Sequence, residues 1–291
     1  MGGTPKTGHL HFLEGLALST PQRWHEFTPA PADAPAVLLL HGFMGCGADW
    51  KFAAHSLCPG YRCLCPDLPG HGAAASESEN AGANMEETAA MLLRGLEEHG
   101  VGTCALAGYS MGGRVALYLA VQYPERFTCL MLESASPGIA DPEARLERRR
   151  QDEERALKLS RISQDGPDFR EFLRAWYEQP LFGALRNRPA LLEERIARRL
   201  HTNPRALAAS LRGLGTGLQP SLWEQLSSVK IPVLLITGGE DSKFCAIAAS
   251  MAALLPRVRH EVIQDCGHCA HEEDPERFAE IFRRFLQETD T

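Results

Sequence analysis

The chain has 291 residues, 44% of them hydrophobic and 23% charged, which is enough apolar material for a sizeable core and unlike a disordered segment. A formal net charge of -7 leaves no basic field to hold a nucleic acid backbone, and no apolar run approaches the ~20 residues needed to cross a bilayer. The first residues lack the apolar stretch of a secretory signal, Lys6 stands where N-myristoylation requires Ser or Thr, and nine scattered cysteines suit free thiols in a reducing cytoplasm.

Two short strands are expected first, at Leu10–Leu13 and Arg23–Phe27, as an antiparallel pair ahead of the Pro- and Ala-rich stretch 29–35. Strands and helices then alternate: strand 36–40, helix 48–57, strand 61–65, helix 84–99, strand 103–109, helix 111–123, strand 127–133. Such alternation predicts an α/β fold, a mostly parallel doubly wound sheet with its ligand at the carboxyl ends of the strands. From Ser136 to about Leu222 the strand signal is absent. Charged helical segments replace it: Ala144–Leu159, opened by Asp141-Pro142-Glu143, then Phe169–Tyr177, Leu191–Leu200 and Arg205–Leu214. An all-helical insertion between sheet strands is expected to cover the strand ends as a lid. Strands resume at Ile231–Thr237 and Val258–Gln264, and an amphipathic helix, Pro275–Gln287, closes the chain. The expected organisation is a core in two parts, 1–135 and 223–291, with the lid at 136–222.

Between the strand 103–109 and the helix 111–123 lies Gly108-Tyr109-Ser110-Met111-Gly112. In that context G-x-S-x-G is a nucleophile elbow, a sharp strand-to-helix turn that holds one serine hydroxyl exposed. Asp241 follows the strand 231–237, and His268 follows the strand 258–264. The chain order Ser110, Asp241, His268 is that of the α/β-hydrolases, distinct from the orders of other serine enzymes. Upstream, the buried-strand pattern Ala36–Leu40 runs into His41-Gly42-Phe43-Met44-Gly45. There the N–H of Phe43 is placed to share an oxyanion hole with the N–H of Met111.

Other constellations weigh differently. Cys266-Gly267-His268-Cys269-Ala270-His271 has residue types that ligate zinc, but a closed site would consume His268 and no second Cys-x-x-Cys pair exists, so no metal is expected. Asp67-Leu68-Pro69-Gly70-His71-Gly72 lacks the spacing of a phosphate loop. Arg114 lies one helical turn beyond Ser110 on the same face, where it would serve a substrate carboxylate and do nothing for a neutral ester. Tyr109 and Trp176 are either packing or pocket wall, and Arg148 and Arg199 either reach the site or face solvent.

Six segments together resemble the menaquinone-pathway 2-succinyl-6-hydroxy-2,4-cyclohexadiene-1-carboxylate synthases. They are Leu40–Gly45, Asp67–Gly72, Gly108–Arg114, Glu133–Gly138, Trp176–Phe182 and Gly239–Phe244, within a similarity running from about 36 to 288. The resemblance implies a cofactor-free enzyme that eliminates pyruvate from 2-succinyl-5-enolpyruvyl-6-hydroxy-3-cyclohexene-1-carboxylate. It implies Ser110, Asp241 and His268 as triad and Phe43 and Met111 as oxyanion donors. His41, Tyr109, Arg114, Arg148, Trp176 and Arg199 would be contacts to a small anionic cyclohexene carboxylate. Two other readings remain open: a serine hydrolase of an ester, thioester or carbon–carbon bond with the same triad, and a non-catalytic binding protein on the same fold.

Overall fold

The computed structural model describes residues 23–27, 30–31, 33–72, 82–164 and 166–289. Seven strands form one sheet: β1 (Trp24–His25), β2 (Ala36–Leu40), β3 (Arg62–Pro66), β4 (Cys104–Tyr109), β5 (Phe127–Glu133), β6 (Val233–Gly238) and β7 (Val258–Ile263). Their order is β1-β3-β2-β4-β5-β6-β7, parallel throughout except for β1, which runs antiparallel to β3 through Trp24↔Pro66 and His25↔Cys65. The expected strand at Arg23–Phe27 is thus only two residues long, and its partner is β3. The other expected strand, Leu10–Leu13, lies outside the described residues.

The central strands are continuous apolar runs because helices cover both faces. Val37 to Leu40 and Val233 to Gly238 are buried without interruption. On one face lie α2 (Met85–Glu98), α3 (Met111–Gln122) and α8 (Ser242–Ala252), with Leu92, Val115 and Met251 packed on Leu38, Leu106 and Leu235 in one cluster. On the other lie α1 (Lys51–Leu57) and α10 (Pro275–Thr289), whose Ala54, Phe278 and Phe282 join Val37, Leu39 and Ile236. Helix starts follow their capping chemistry. The Asn84 side chain accepts from Glu87 N while the Glu87 carboxylate accepts from Asn84 N, a reciprocal box that opens α2.

Between β5 and β6 the described residues form no strand. They form α4 (Pro142–Arg161), α5 (Pro167–Tyr177), α6 (Pro189–Arg199) and α7 (Pro204–Leu214), close to the expected segments. Each begins with Pro in its first turn, where a missing N–H costs nothing. These helices have an apolar cluster of their own, including Leu159, Phe169, Leu173, Ile196 and Leu207, with Met44 from the loop after β2 inserted into it. No helix among the described residues is long and apolar enough to cross a membrane.

The strand order reverses around β2, whose neighbours are β3 on one side and β4 on the other. A crevice at the carboxyl ends of the strands is the ligand position such a sheet creates. Residues from α4, α7 and the segment after α5 line the cavity there.

Candidate active site

β4 ends at Tyr109 and α3 begins at Met111, leaving Ser110 alone to turn the chain, at φ 49° and ψ -107°. An L-residue holds that conformation only under constraint. The constraint is close packing: a Cβ on Gly112 would lie 2.2 Å from the Leu40 carbonyl oxygen, and one on Gly108 2.4 Å from that of Gly112. Bare glycines let α3 seat against the ends of β2 and β4, and Ser110 N donates to Glu133 O at 2.9 Å to fix the turn in the sheet.

Ser110 Oγ lies 3.0 Å from His268 Nε2, and His268 Nδ1 lies 2.7 Å from Asp241 Oδ2. The other Asp241 oxygen accepts from Phe244 N at 3.2 Å, so one carboxylate starts α8 and orients the imidazole together. Asp241 and His268 are buried, and Phe244 and Phe182 pack their rings on the imidazole at 4.6 and 5.8 Å between centroids. Phe43 and Met111 both line the cavity, and their backbone N–H groups are taken by no hydrogen bond among the described residues.

The cavity is about 570 Å³. Tyr109 and Trp176 form parts of its wall, with Trp176 tilted on Phe43 at 5.3 Å. Burial pushes the Tyr109 pKa well above the usual phenol value, so its hydroxyl stays neutral. Arg114 is buried. Its Nη2 donates to Leu214 O at 2.8 Å and its Nη1 to Gln219 Oε1 at 3.2 Å, both uncharged acceptors, and it has no salt bridge among the described residues. Desolvation, with Arg148 nearby and against the opposing charge of Asp152, pushes its pKa down to about 10. Arg148 lines the same wall, its Nε donating to Asp152 Oδ1 at 2.7 Å.

Two expected contacts lie elsewhere. His41 is buried outside the cavity lining: Leu68 N donates to its Nε2 at 2.9 Å, so Nδ1 carries the proton and donates to Gly42 O at 2.8 Å. Burial holds that ring neutral, tying the loop after β2 to the loop after β3. Arg199 is also buried away from the cavity, its Nη1 and Nη2 each 2.8 Å from a different oxygen of Asp49, with Glu272 at 3.7 Å. A cationic side chain at the end of α6 finds its counter-ion in the core before it can reach a ligand.

The structure adds Arg155, Gln151, Ser134, Ser210 and Lys243 to the cavity lining. Arg155 and Gln151 lie three residues from Asp152 and Arg148, on the face of α4 turned to the site, a helical repeat visible in the sequence once Arg148 is placed. Ser134 and Ser210 carry no such signal. Of the Cys/His segment considered as a zinc site, His271 and Cys269 do cluster with Glu133. Glu133, however, binds His271 through both oxygens, to N at 3.0 Å and Nδ1 at 2.7 Å, which makes an ion pair of them.

Comparison with known proteins bears on the fold and the family. A family profile described as alpha/beta hydrolase fold matches residues 35–275. The chain is similar to a putative 2-succinyl-6-hydroxy-2,4-cyclohexadiene-1-carboxylate synthase of Bacillus subtilis (strain 168), 35% identical over 272 residues, covering 93% of this chain and 97% of that one. The structure of MenH from S. aureus superposes with a TM-score of 0.84 at 32% identity, covering 94% of this chain and all of the other. A thermophilic esterase from Thermogutta terrifontis, solved with malate bound, superposes with a TM-score of 0.77 at 30% identity over 93% of this chain and 94% of its own.

Proposed function

Because the chain belongs to the 2-succinyl-6-hydroxy-2,4-cyclohexadiene-1-carboxylate synthase family of α/β-hydrolases, we propose that it is the pyruvate-eliminating lyase of menaquinone biosynthesis. Its substrate would be 2-succinyl-5-enolpyruvyl-6-hydroxy-3-cyclohexene-1-carboxylate. The observation that carries this reading is Arg114: a buried guanidinium on the cavity wall, hydrogen-bonded to two neutral acceptors and in no ion pair among the described residues, with Asp152 acting on it only from beyond ion-pair distance. A buried cation with no directly paired counter-charge is costly, and a bound carboxylate supplies one through a charge-assisted pair. A neutral ester does not.

In this mechanism His268 takes the Ser110 proton, and Asp241 orients the imidazole and stabilises its cationic form. The Ser110 alkoxide removes the proton from the ring carbon that bears the succinyl ketone. The released electron pair passes through the ketone enolate and the ring double bond, and the carbon–oxygen bond to the enolpyruvyl group breaks. The departing enolate becomes pyruvate on taking up a proton, and the ring is left as the 2,4-diene. The N–H groups of Phe43 and Met111 stabilise the negative ketone oxygen, a task for which one such donor is worth ~2.7–4 kcal/mol. Trp176 and the Tyr109 ring bound the apolar side of the ring, and Arg148 adds a second positive charge.

A second reading, ester hydrolysis by the same triad, draws support from the 30% identity to the Thermogutta terrifontis esterase. Supplying the enolpyruvyl substrate and an aryl ester side by side separates them. Pyruvate release with negligible ester cleavage is expected, and the reverse would replace the lyase by the hydrolase. Ser110→Ala should lower pyruvate release by roughly 10³-fold or more, as loss of a triad member does elsewhere; near-normal turnover would remove the serine mechanism.

A further inference from the structure

One hydroxyl in the cavity floor has no part in the chemistry above. Ser134 is the first residue after β5. The residue before it, Glu133, accepts from Ser110 N at 2.9 Å, and Ser134 N donates to Ile236 O at 3.0 Å. It therefore sits between the nucleophile turn and the strand that leads to Asp241. Ser134 is 1% exposed and lines the cavity, yet its Oγ makes no hydrogen bond to any described residue. Its backbone is also in the left-handed region, with φ 45°.

Both features cost free energy. A buried hydroxyl without a partner is unfavourable, and so is a left-handed serine where glycine would be at ease. Alanine would remove the first cost and glycine both, so the fold alone gives no reason for serine here. Two local costs at one residue beside a reacting group are the pattern of a side chain kept for a ligand. With no base in hydrogen-bond reach, Ser134 cannot be activated as a second nucleophile, and its chemistry is that of a neutral donor.

We propose that the Ser134 hydroxyl is a substrate-contacting group that donates a hydrogen bond to a negatively charged oxygen of the bound acid. This rests on the pyruvate-eliminating reading, in which the substrate brings carboxylates into a cavity walled by Arg114, Arg148 and Arg155.

The test compares Ser134→Ala and Ser134→Gly with the wild type and with Thr88→Val. Thr88 on α2 is a fitting control, because its hydroxyl is equally buried and has no hydrogen-bond partner among the described residues, but lies outside the cavity lining. Both Ser134 variants should lower kcat/KM for pyruvate release about tenfold or more, as loss of a hydrogen bond to a charged group does. The pH profile should not move. Ser134→Gly should melt no lower than the wild type, which separates lost contact from lost fold, and Thr88→Val should keep wild-type kinetics. In a Ser110→Ala background, calorimetry with the enolpyruvyl substrate should show binding weakened severalfold by Ser134→Ala. An active wild type whose Ser134 variants stay within twofold in kcat, KM and Kd would overturn the proposal alone. A wild type that releases no pyruvate, with a Ser110→Ala variant that binds no substrate, would overturn the functional reading and this proposal with it.

Discussion

In the proposed reaction Arg114 would face both the substrate and the protein, and removing it separates the two. In Arg114→Met the cavity loses its buried charge, and kcat/KM should fall about a hundredfold, near the worth of one charge-assisted pair. Stability should move little. The Leu214 and Gln219 oxygens lose a donor, an effect offset by the end of a buried charge that has no ion pair among the described residues. Denaturant midpoints alongside kinetics check both halves, and a large loss of stability would make Arg114 chiefly a structural residue. Behind the triad, His271 stacks on Trp50 at 4.5 Å and pairs with Glu133. Burial opposes a charge on the ring, but the Cys269 sulfur and the Glu133 carboxylate outweigh it and hold its pKa well above the ordinary histidine value. A raised folded pKa stabilises fully below the unfolded value of ~6.5 and loses that contribution as pH climbs towards the folded one. The melting temperature should therefore decline from neutral to alkaline pH. His271→Gln should flatten that decline, and an unchanged slope would place the titration elsewhere.

Elements meet through ion pairs as well as apolar contacts. Arg199 at the end of α6 grips Asp49 in the short 3₁₀ turn before α1, and Arg195 and Arg198 of the same helix reach Glu272 in α9 (Ala270–Glu273). Asp49→Ala leaves Arg199 buried with only the more distant Glu272, and breaking such a pair typically costs ~3–5 kcal/mol. Burial alone would raise the Asp49 pKa, but the Arg199 guanidinium holds it well below the usual carboxylate range. The pair's contribution is thus present above the unfolded aspartate value of ~3.9 and fades as pH falls below it. Urea midpoints at neutral and acid pH, compared between wild type and Asp49→Ala, should converge towards the acid end. At this scale the sequence was most legible in the sheet, because parallel strands buried on both faces appear as unbroken apolar runs such as Val37–Leu40 and Val233–Ile236. The triad was legible because each member follows a strand. Helix α8 was not: Ser242–Ala252 is Ala-rich and apolar on several sides, without the stripe that marks an amphipathic helix. Arg199 misled for another reason. Its partner lies 150 residues away, and no periodicity links them. His41 has the same character, since loop backbones satisfy both its nitrogens.

Taken whole, the molecule carries a formal charge of -7, yet the cavity wall holds Arg114, Arg148 and Arg155. An acidic substrate is repelled at long range and attracted near the strand ends. Local attraction at the partly exposed Arg148 and Arg155 is open to screening, with a Debye length of ~10 Å at 0.1 M salt. KM for the enolpyruvyl substrate should rise as salt increases from tens of millimolar to about half molar, with kcat nearly constant; a KM that falls would mean the global charge governs capture.

Arg114 belongs to α3, but the oxygens that aim it, from Leu214 and Gln219, belong to the last helix of the insertion and the loop beyond it. Grafting another hydrolase's cover onto this sheet would keep a serine, a histidine and an aspartate in register while letting that guanidinium swing loose. On the proposed function, reactivity would travel with the strands, whereas the preference for an acid would depend on two separate pieces of the chain.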